Sequence, residues 1–189
     1  PLTRMKLQLE MMEGVSGIED LKSDVTEMEL MIDGYLAFAR GEGDEIAEPV
    51  EISAFVEAVV ADWKRNGIEI DCHVEGNFEL PVKREALRRC LNNLIANACR
   101  HGEHVWALIG KRQGMIEITI DDDGPGIPEA DRVDVFRPFH RLDQSRNSKT
   151  GGTGLGLAIA EDIVRAHGGD ISLTDSPRGG LRARLRIPQ

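Results

Sequence analysis

The sequence predicts an α+β protein made of two unlike units: an antiparallel helical hairpin over residues 1–43 and an α/β unit over residues 44–189. Three observations carry that expectation. Apolar residues in the first part recur at alternating spacings of three and four, the pattern of helices packed on helices. After the break Gly41-Glu42-Gly43-Asp44-Glu45 the period changes, and stretches alternating every second residue appear between helical ones. The charge divides near the same place. Residues 1–57 hold 14 acidic and 4 basic residues, whereas residues 58–189 hold 19 of each.

The hairpin is read from its seam. Leu2, Met5, Leu9 and Met12 are spaced 3, 4, 3, and Gly14-Val15-Ser16-Gly17 interrupts them. Ile18, Leu21, Val25, Met28, Ile32, Tyr35 and Ala39 then continue the alternation. Ser16 with Glu19 three residues on forms a capping box that opens the second helix. So short a turn makes the two helices antiparallel. One hairpin cannot bury both sides of its seam, so a second copy is expected, giving a dimeric four-helix bundle; the alternative is packing on the downstream unit.

In the second unit, Val50–Ile52 reads as a short strand. Phe55, Val56, Val59, Val60 and Trp63 form a helical stripe that stops at Asn66-Gly67. Residues 68–74 alternate like a strand. A helix is expected over Arg84–Arg100, with Leu87, Leu91, Leu94, Ile95 and Ala98 facing a core. Residues 105–109 and 115–121 read as strands joined at Gln113-Gly114, and residues 124–153 as loop. Residues 154–166 read as a helix ended by Gly168-Gly169. Two last strands, about 170–174 and 181–187, flank Pro177-Arg178-Gly179-Gly180.

Composition excludes several classes. At 41% hydrophobic and 30% charged residues the chain reads as globular rather than disordered. It has no run of about 18 apolar residues for a membrane span and no signal peptide pattern at its start. The net charge of −10 makes nucleic acid a poor partner, because a phosphate backbone needs a basic footprint. Cys72, Cys90 and Cys99 are odd in number and lack a CxxC pattern, so neither a disulfide framework nor a zinc site is expected.

Three constellations carry chemistry. On the Arg84–Arg100 helix, Asn93, Asn97 and Arg100 or His101 share one face, offset from the apolar stripe. An Asn oxygen suits a hard cation such as Mg²⁺, and Arg100 and His101 suit phosphate charge. Asp121-Asp122-Asp123-Gly124-Pro125-Gly126-Ile127 puts carboxylates at a strand end before a tight turn, where Asp122 would accept from an exocyclic amine such as that of adenine. Gly151-Gly152-Thr153-Gly154-Leu155-Gly156-Leu157 runs into a helix, where free N–H groups and the helix dipole favour an anion. Each alone is weak: the plain readings are a solvated helix face, an acidic turn and a flexible loop. The glycine run matches neither a P-loop nor a dinucleotide fingerprint.

In this order and spacing the three resemble the N, G1 and G2 boxes of the sensor histidine kinases of two-component systems, within the superfamily that also includes gyrase B, the Hsp90 chaperones and MutL. Phe136-Arg137-Pro138-Phe139 matches the family's F box. Pro1-Leu2-Thr3-Arg4 resembles the tail of its H box, and the match is best for the osmosensing-type subfamily. The resemblance covers nearly the whole chain. It implies an ATP-binding α/β sandwich over residues 44–189, preceded by a dimerisation and phosphotransfer hairpin over residues 1–43. On this alignment the phosphoacceptor His belongs just before Pro1. None of His73, His101, His104, His140 and His167 lies in the first helix. The chain is therefore expected to be a piece of a longer, membrane-anchored sensor, lying in the cytoplasm.

The resemblance also implies roles. Asn93 and Asn97 would orient Mg²⁺, with Asn93, Asn97 and Arg100 as the catalytic set. Arg100 and His101 would contact phosphates. Asp122 would bind the adenine amine, with Gly124, Gly126 and Ile127 beside it. Residues 128–153 would form a lid that Phe136 and Phe139 tether to the hairpin or the core. Arg137, Arg141, Arg146 and Lys149 are its cations, unranked, and Gly152, Thr153, Gly154, Leu155 and Gly156 would cradle phosphates. Hydrolytic members of the superfamily place a Glu where this chain has Asn93. Phosphoryl transfer to a His, for relay to an Asp of a response regulator, is therefore expected rather than hydrolysis. A hydrolytic ATPase and a non-enzymatic nucleotide-sensing dimerisation module are the alternatives.

Overall fold

A computed structural model of the chain describes Leu21, Val25, residues 45–142 and residues 154–189. Leu21 and Val25 are both helical, Val25 buried and Leu21 half exposed. The rest of the expected hairpin, with its capping box and its dimer, lies outside the described residues. So do Arg146, Lys149, Gly152 and Thr153.

The described part opens with β1 (Glu48–Glu51), which runs directly into α1 (Ile52–Arg65). The strand expected over Val50–Ile52 thus lies two residues earlier and gives way to helix at Ile52. Glu51 is the reason. Its carboxylate accepts from the N–H groups of Ser53 at 3.1 Å and Ala54 at 2.7 Å, capping the new helix. β2 (Ile70–Val74) follows, then β3 (Glu79–Val82), which sequence periodicity misses. β3 contains Pro81, a residue that argues against a strand. It pairs with β1 in an isolated two-stranded ladder, where Pro81 sits opposite Pro49 and neither has to donate a hydrogen bond.

α2 (Arg84–His101) is the long helix of the domain. Its N-cap residue, Lys83, makes no side-chain cap. Glu45 supplies one instead, accepting from Glu85 N–H at 2.6 Å and Ala86 N–H at 3.1 Å. Glu45, the last residue of the expected linker segment and within the expected unit over residues 44–189, is thus joined to α2. β4 (Val105–Arg112) and β5 (Met115–Asp122) form a hairpin through Gln113 and Gly114, both at positive φ, the geometry of a tight two-residue turn. Two short 3₁₀ turns, Glu129–Asp131 and Asp134–Phe136, lie in the stretch expected to be loop. α3 (Gly156–Ala166) starts two residues later than expected, and β6 (Asp170–Asp175) and β7 (Leu181–Pro188) close the fold.

The main sheet has the order β2-β4-β5-β7-β6, antiparallel except for the parallel β2–β4 pair. Its inner face is a run of alternate buried residues: Val105, Ala107 and Ile109, then Ile116, Ile118 and Ile120, then Leu181, Ala183, Leu185 and Ile187. The apolar stripes of α1 and α2, including Val56, Leu87, Leu91 and Ile95, complete one core with α3. Burying them drives the two-layer α/β sandwich. The outer sheet face is polar. Arg182, Arg184 and Arg186 of β7 face Asp121, Thr119 and Glu117 of β5 in register.

Candidate nucleotide site

The site forms where the end of α2, the turn after β5 and the start of α3 meet. On α2, adjacent asparagines part company. Asn92 Oδ1 accepts from Trp63 Nε1 at 2.9 Å and serves α1–α2 packing. Asn93, one residue on, has a buried Nδ2 with no partner among the described residues. Its Oδ1 lies 3.7 Å from the position of a Cβ on Gly156, the first residue of α3. No side chain caps α3. An orphaned amide thus faces uncapped helix N–H groups, a donor-rich spot suited to phosphate. Asn97 is half-buried one turn further along α2.

Arg100 and His101 end the helix. Both are exposed by surface area, yet neighbouring atoms crowd enough water away to shift them. Partial desolvation, then the positive charge of Arg141, holds Arg100 below the usual arginine range. Desolvation, then the charge of Arg100, lowers His101, against a pull upward from Asp122. Two arginines that raise each other's electrostatic energy are a natural seat for an anion.

The three consecutive aspartates divide their labour. Asp121 forms a bidentate pair with Arg182, at 2.7 and 2.6 Å, on the outer sheet face. Asp123 takes the N–H groups of Glu103 at 2.7 Å and His104 at 3.0 Å on one oxygen and the His104 ring at 3.0 Å on the other. Those bonds, from the His104 backbone and ring first, hold its carboxyl down at about 2. Asp122 is 2% exposed, and both of its hydrogen bonds fall on Oδ1, from Gly124 N–H at 2.9 Å and Leu181 N–H at 3.0 Å. Burial pushes its pKa up against those two bonds. Oδ2 takes no part in them and is the oxygen left for an exocyclic amine.

Glycine permits this crowding. A Cβ on Gly124 would stand 2.4 Å from the His101 carbonyl oxygen, and one on Gly180 would stand 2.2 Å from Asp122 Oδ1. Gly126 has φ +70° and faces the Gly180 carbonyl. Gly180 and Leu181 adjoin Asp122 and were missed in the sequence, where Gly180 read as part of the stretch between the last two strands and Leu181 as the start of the last one. They lie almost 60 residues from Asp122, and only the β5–β7 register brings them there.

The remaining predicted residues are placed as follows. Ile127 packs against the core, and its carbonyl accepts from Arg132 Nε at 2.9 Å. Phe136 also packs against the core, whereas Phe139 is 53% exposed among the described residues. Arg137 pairs with Asp134 at 3.1 Å on the surface. Leu155 is buried in the core, so only its backbone can serve a ligand. Gly154, at φ +67°, lies against the Phe139 backbone, whose N–H donates to the Gly154 carbonyl at 2.9 Å. His167 is structural: it accepts from Lys83 N–H at 2.9 Å and donates from Nδ1 to the Ile163 carbonyl at 2.7 Å. Among the described residues no group of three His, Cys, Asp or Glu is placed to hold a metal ion.

An adenine nucleotide with Mg²⁺ fits these residues. A buried carboxylate with one oxygen spare, an orphaned buried amide, Asn oxygens of the kind a hard cation takes, and converging arginines match its amine, phosphates and cation in turn.

This two-layer domain and its site define a nucleotide-binding protein of the kind in which α/β sandwiches hold ATP. Residues 82–189 match the family of histidine kinase-, DNA gyrase B- and HSP90-like ATPases. The chain is 32% identical, over its whole length, to the sensor histidine kinase GtrS of Pseudomonas aeruginosa, of which it spans 39%. It is also 32% identical to the ATP-binding domain of PrrB from Mycobacterium tuberculosis, with a TM-score of 0.62, covering 77% of this chain and 98% of that one. The histidine kinase domain of the E. coli osmosensor EnvZ gives 32% identity and a TM-score of 0.60, covering 78% of this chain and 91% of that one. The chain belongs to this family of histidine kinase-, DNA gyrase B- and HSP90-like ATPases and carries its ATP-binding domain, and it spans less than half the length of the sensor histidine kinase GtrS that it matches. Among the described residues no helix is long and apolar enough to cross a membrane.

Proposed function

We propose that this core binds Mg²⁺-ATP and passes the γ-phosphoryl group to a His imidazole on the helical hairpin of its parent protein, for relay to an Asp of a response regulator receiver domain. The observation that carries the reading is the buried, unpartnered amide of Asn93 facing the start of α3. A hydrolase needs a carboxylate base to activate water there; an amide cannot serve.

Asp122 Oδ2 accepts from the adenine amine, and Gly124, Gly126 and Ile127 line the approach. Asn93 and Asn97 would hold Mg²⁺, which when bound would supply charge neutralisation at the phosphates. Arg100, His101 and Arg141 face the phosphates. Arg137, Phe139 and Lys149 belong to the same region of chain, and Gly152, Thr153, Gly154, Leu155 and Gly156 present backbone N–H groups to phosphate oxygens. The chemistry is an in-line exchange. The bond between the γ-phosphorus and its bridging oxygen breaks, a phosphorus–nitrogen bond forms, ADP leaves, and the imidazole proton passes to solvent. Positioning and charge neutralisation supply the rate.

Residues 1–43 form the dimerising hairpin and residues 44–189 the catalytic unit, in a homodimer whose parent is anchored in the membrane with this portion in the cytoplasm. The acidic balance gives no footprint for nucleic acid. Mixing the chain and Mg²⁺-ATP with a separate hairpin domain that carries an intact H box tests the reading. An acid-labile, alkali-stable phosphoprotein is expected, lost in Asn97→Ala. Asp122→Asn should weaken ATP by about 1–3 kcal/mol in titration calorimetry. Rapid hydrolysis by the chain alone, or an acid-stable product, would overturn it.

A further inference from the structure

Asp122 presents a free oxygen only if its other oxygen is fixed. One of the two bonds that fix it, from Gly124, is local. The second comes from Leu181 N–H, at the end of the turn between β6 and β7. That turn is braced internally: Ser176 N–H donates to the Gly180 carbonyl at 2.8 Å, Gly179 N–H to the Ser176 carbonyl at 3.1 Å, and Arg178 N–H to Ser176 Oγ at 3.0 Å. The side chain of Arg178 ties it to the sheet. The Arg178 guanidinium lies over the Trp106 ring, 4.7 Å from its centre, and the His104 ring stacks on Trp106 at 6.0 Å. Trp106 in β4 stands opposite Asp121, the residue before Asp122. The fit beneath has no slack, since the position of a Cβ on Gly180 lies 2.2 Å from Asp122 Oδ1 and 2.5 Å from the Asp122 carbonyl oxygen.

We propose that the β6–β7 turn, clamped by Arg178 on Trp106 and closed over Asp122 by Gly180, is the element that sets the Asp122 carboxylate and so determines base discrimination. Arg178, Trp106 and Gly180 are positioning residues. They touch the carboxylate or its neighbours rather than the ligand. This rests on the reading of Asp122 as the adenine acceptor. A cation over Trp at the surface contributes modestly, so loosening it should blunt discrimination rather than abolish binding.

The test compares ADP with inosine diphosphate, whose base carries a carbonyl where adenine carries its amine, by titration calorimetry on the intact chain. Wild type should prefer ADP. Arg178→Ala should cut that preference about two- to fivefold by weakening ADP alone, and Arg178→Lys, which keeps a cation over the ring, should restore most of it. Gly180→Ala should cut it more than about tenfold, in keeping with the loss of a charged hydrogen bond. Arg178 is exposed, so its alanine variant should melt close to wild type and keeps the proposal testable if Gly180→Ala fails to fold. An Arg178→Ala variant with the full wild-type preference, or with both nucleotides weakened equally, would overturn the clamp. A wild-type chain that binds both nucleotides equally would instead overturn the Asp122 assignment beneath it.

Discussion

The carbonyl oxygen of His101 stands 2.4 Å from where a Cβ on Gly124 would be, so the end of α2 and the turn after β5 meet only because residue 124 is glycine. This contact joins two of the three boxes of the site. Both partners are backbone and neither can swing aside.

Gly124→Ala should therefore act on stability and binding together. Forcing a methyl group against a fixed carbonyl is expected to cost about 1–3 kcal/mol, read as a lower midpoint in urea. Adenine nucleotides should weaken as well, because Gly124 N–H is one of two donors to Asp122 Oδ1. A variant of wild-type stability and affinity would mean that the two segments do not meet this closely.

A stability change with no direct role for the ligand is expected at Glu45. Its carboxylate caps α2 in place of the N-cap residue and adds a negative charge at the positive end of the helix. Glu45→Ala should cost about 0.5–2 kcal/mol in equilibrium denaturation. Glu45→Gln, which keeps one acceptor oxygen, should cost less. Equal stability of all three proteins would remove the cap from the account.

The Asp123–His104 pair sets two pH windows. Asp123 is held near 2 in the fold against 3.8 as its ordinary value, so the stability it contributes is present above 3.8 and lost as pH falls toward about 2. The pKa of His104 is raised above 6.5, chiefly by its bond to Asp123. The folded chain therefore holds that proton more tightly, and this contribution is full below 6.5 and lost as pH rises through the folded value. Asp123→Asn should flatten the dependence of the melting temperature on pH in both windows. An unchanged profile would show that neither group is linked to folding.

How much of this was legible in the sequence depends on how local the cause is. Helical and strand periods are written within a few residues of one another, and that sufficed for α1, α2, α3 and the β4–β5 hairpin, including its turn at Gln113-Gly114. It failed at β3, where Pro81 is admitted because it and Pro49 face each other at a non-hydrogen-bonded position of the ladder. The three boxes were read through their resemblance, in residue types and order, to those of the sensor histidine kinases, because each alone was weak.

The sequence reading singled out Asp122 as the acceptor, but tertiary structure alone decided which partners each of the three adjacent aspartates takes. The sequence by itself determined that a carboxylate stands at the end of β5. Strand register then sent Asp121 to Arg182, and the loop before β4 brought His104 to Asp123. Asp122 was left buried beneath Gly180 and Leu181. A side chain's partners across almost 60 residues are fixed by how the sheet aligns when its inner face buries Ile116, Ile118 and Ile120 against the helices. No local pattern encodes that alignment, because slipping the register by one residue would change every cross-strand partner while leaving each segment's own sequence unaltered.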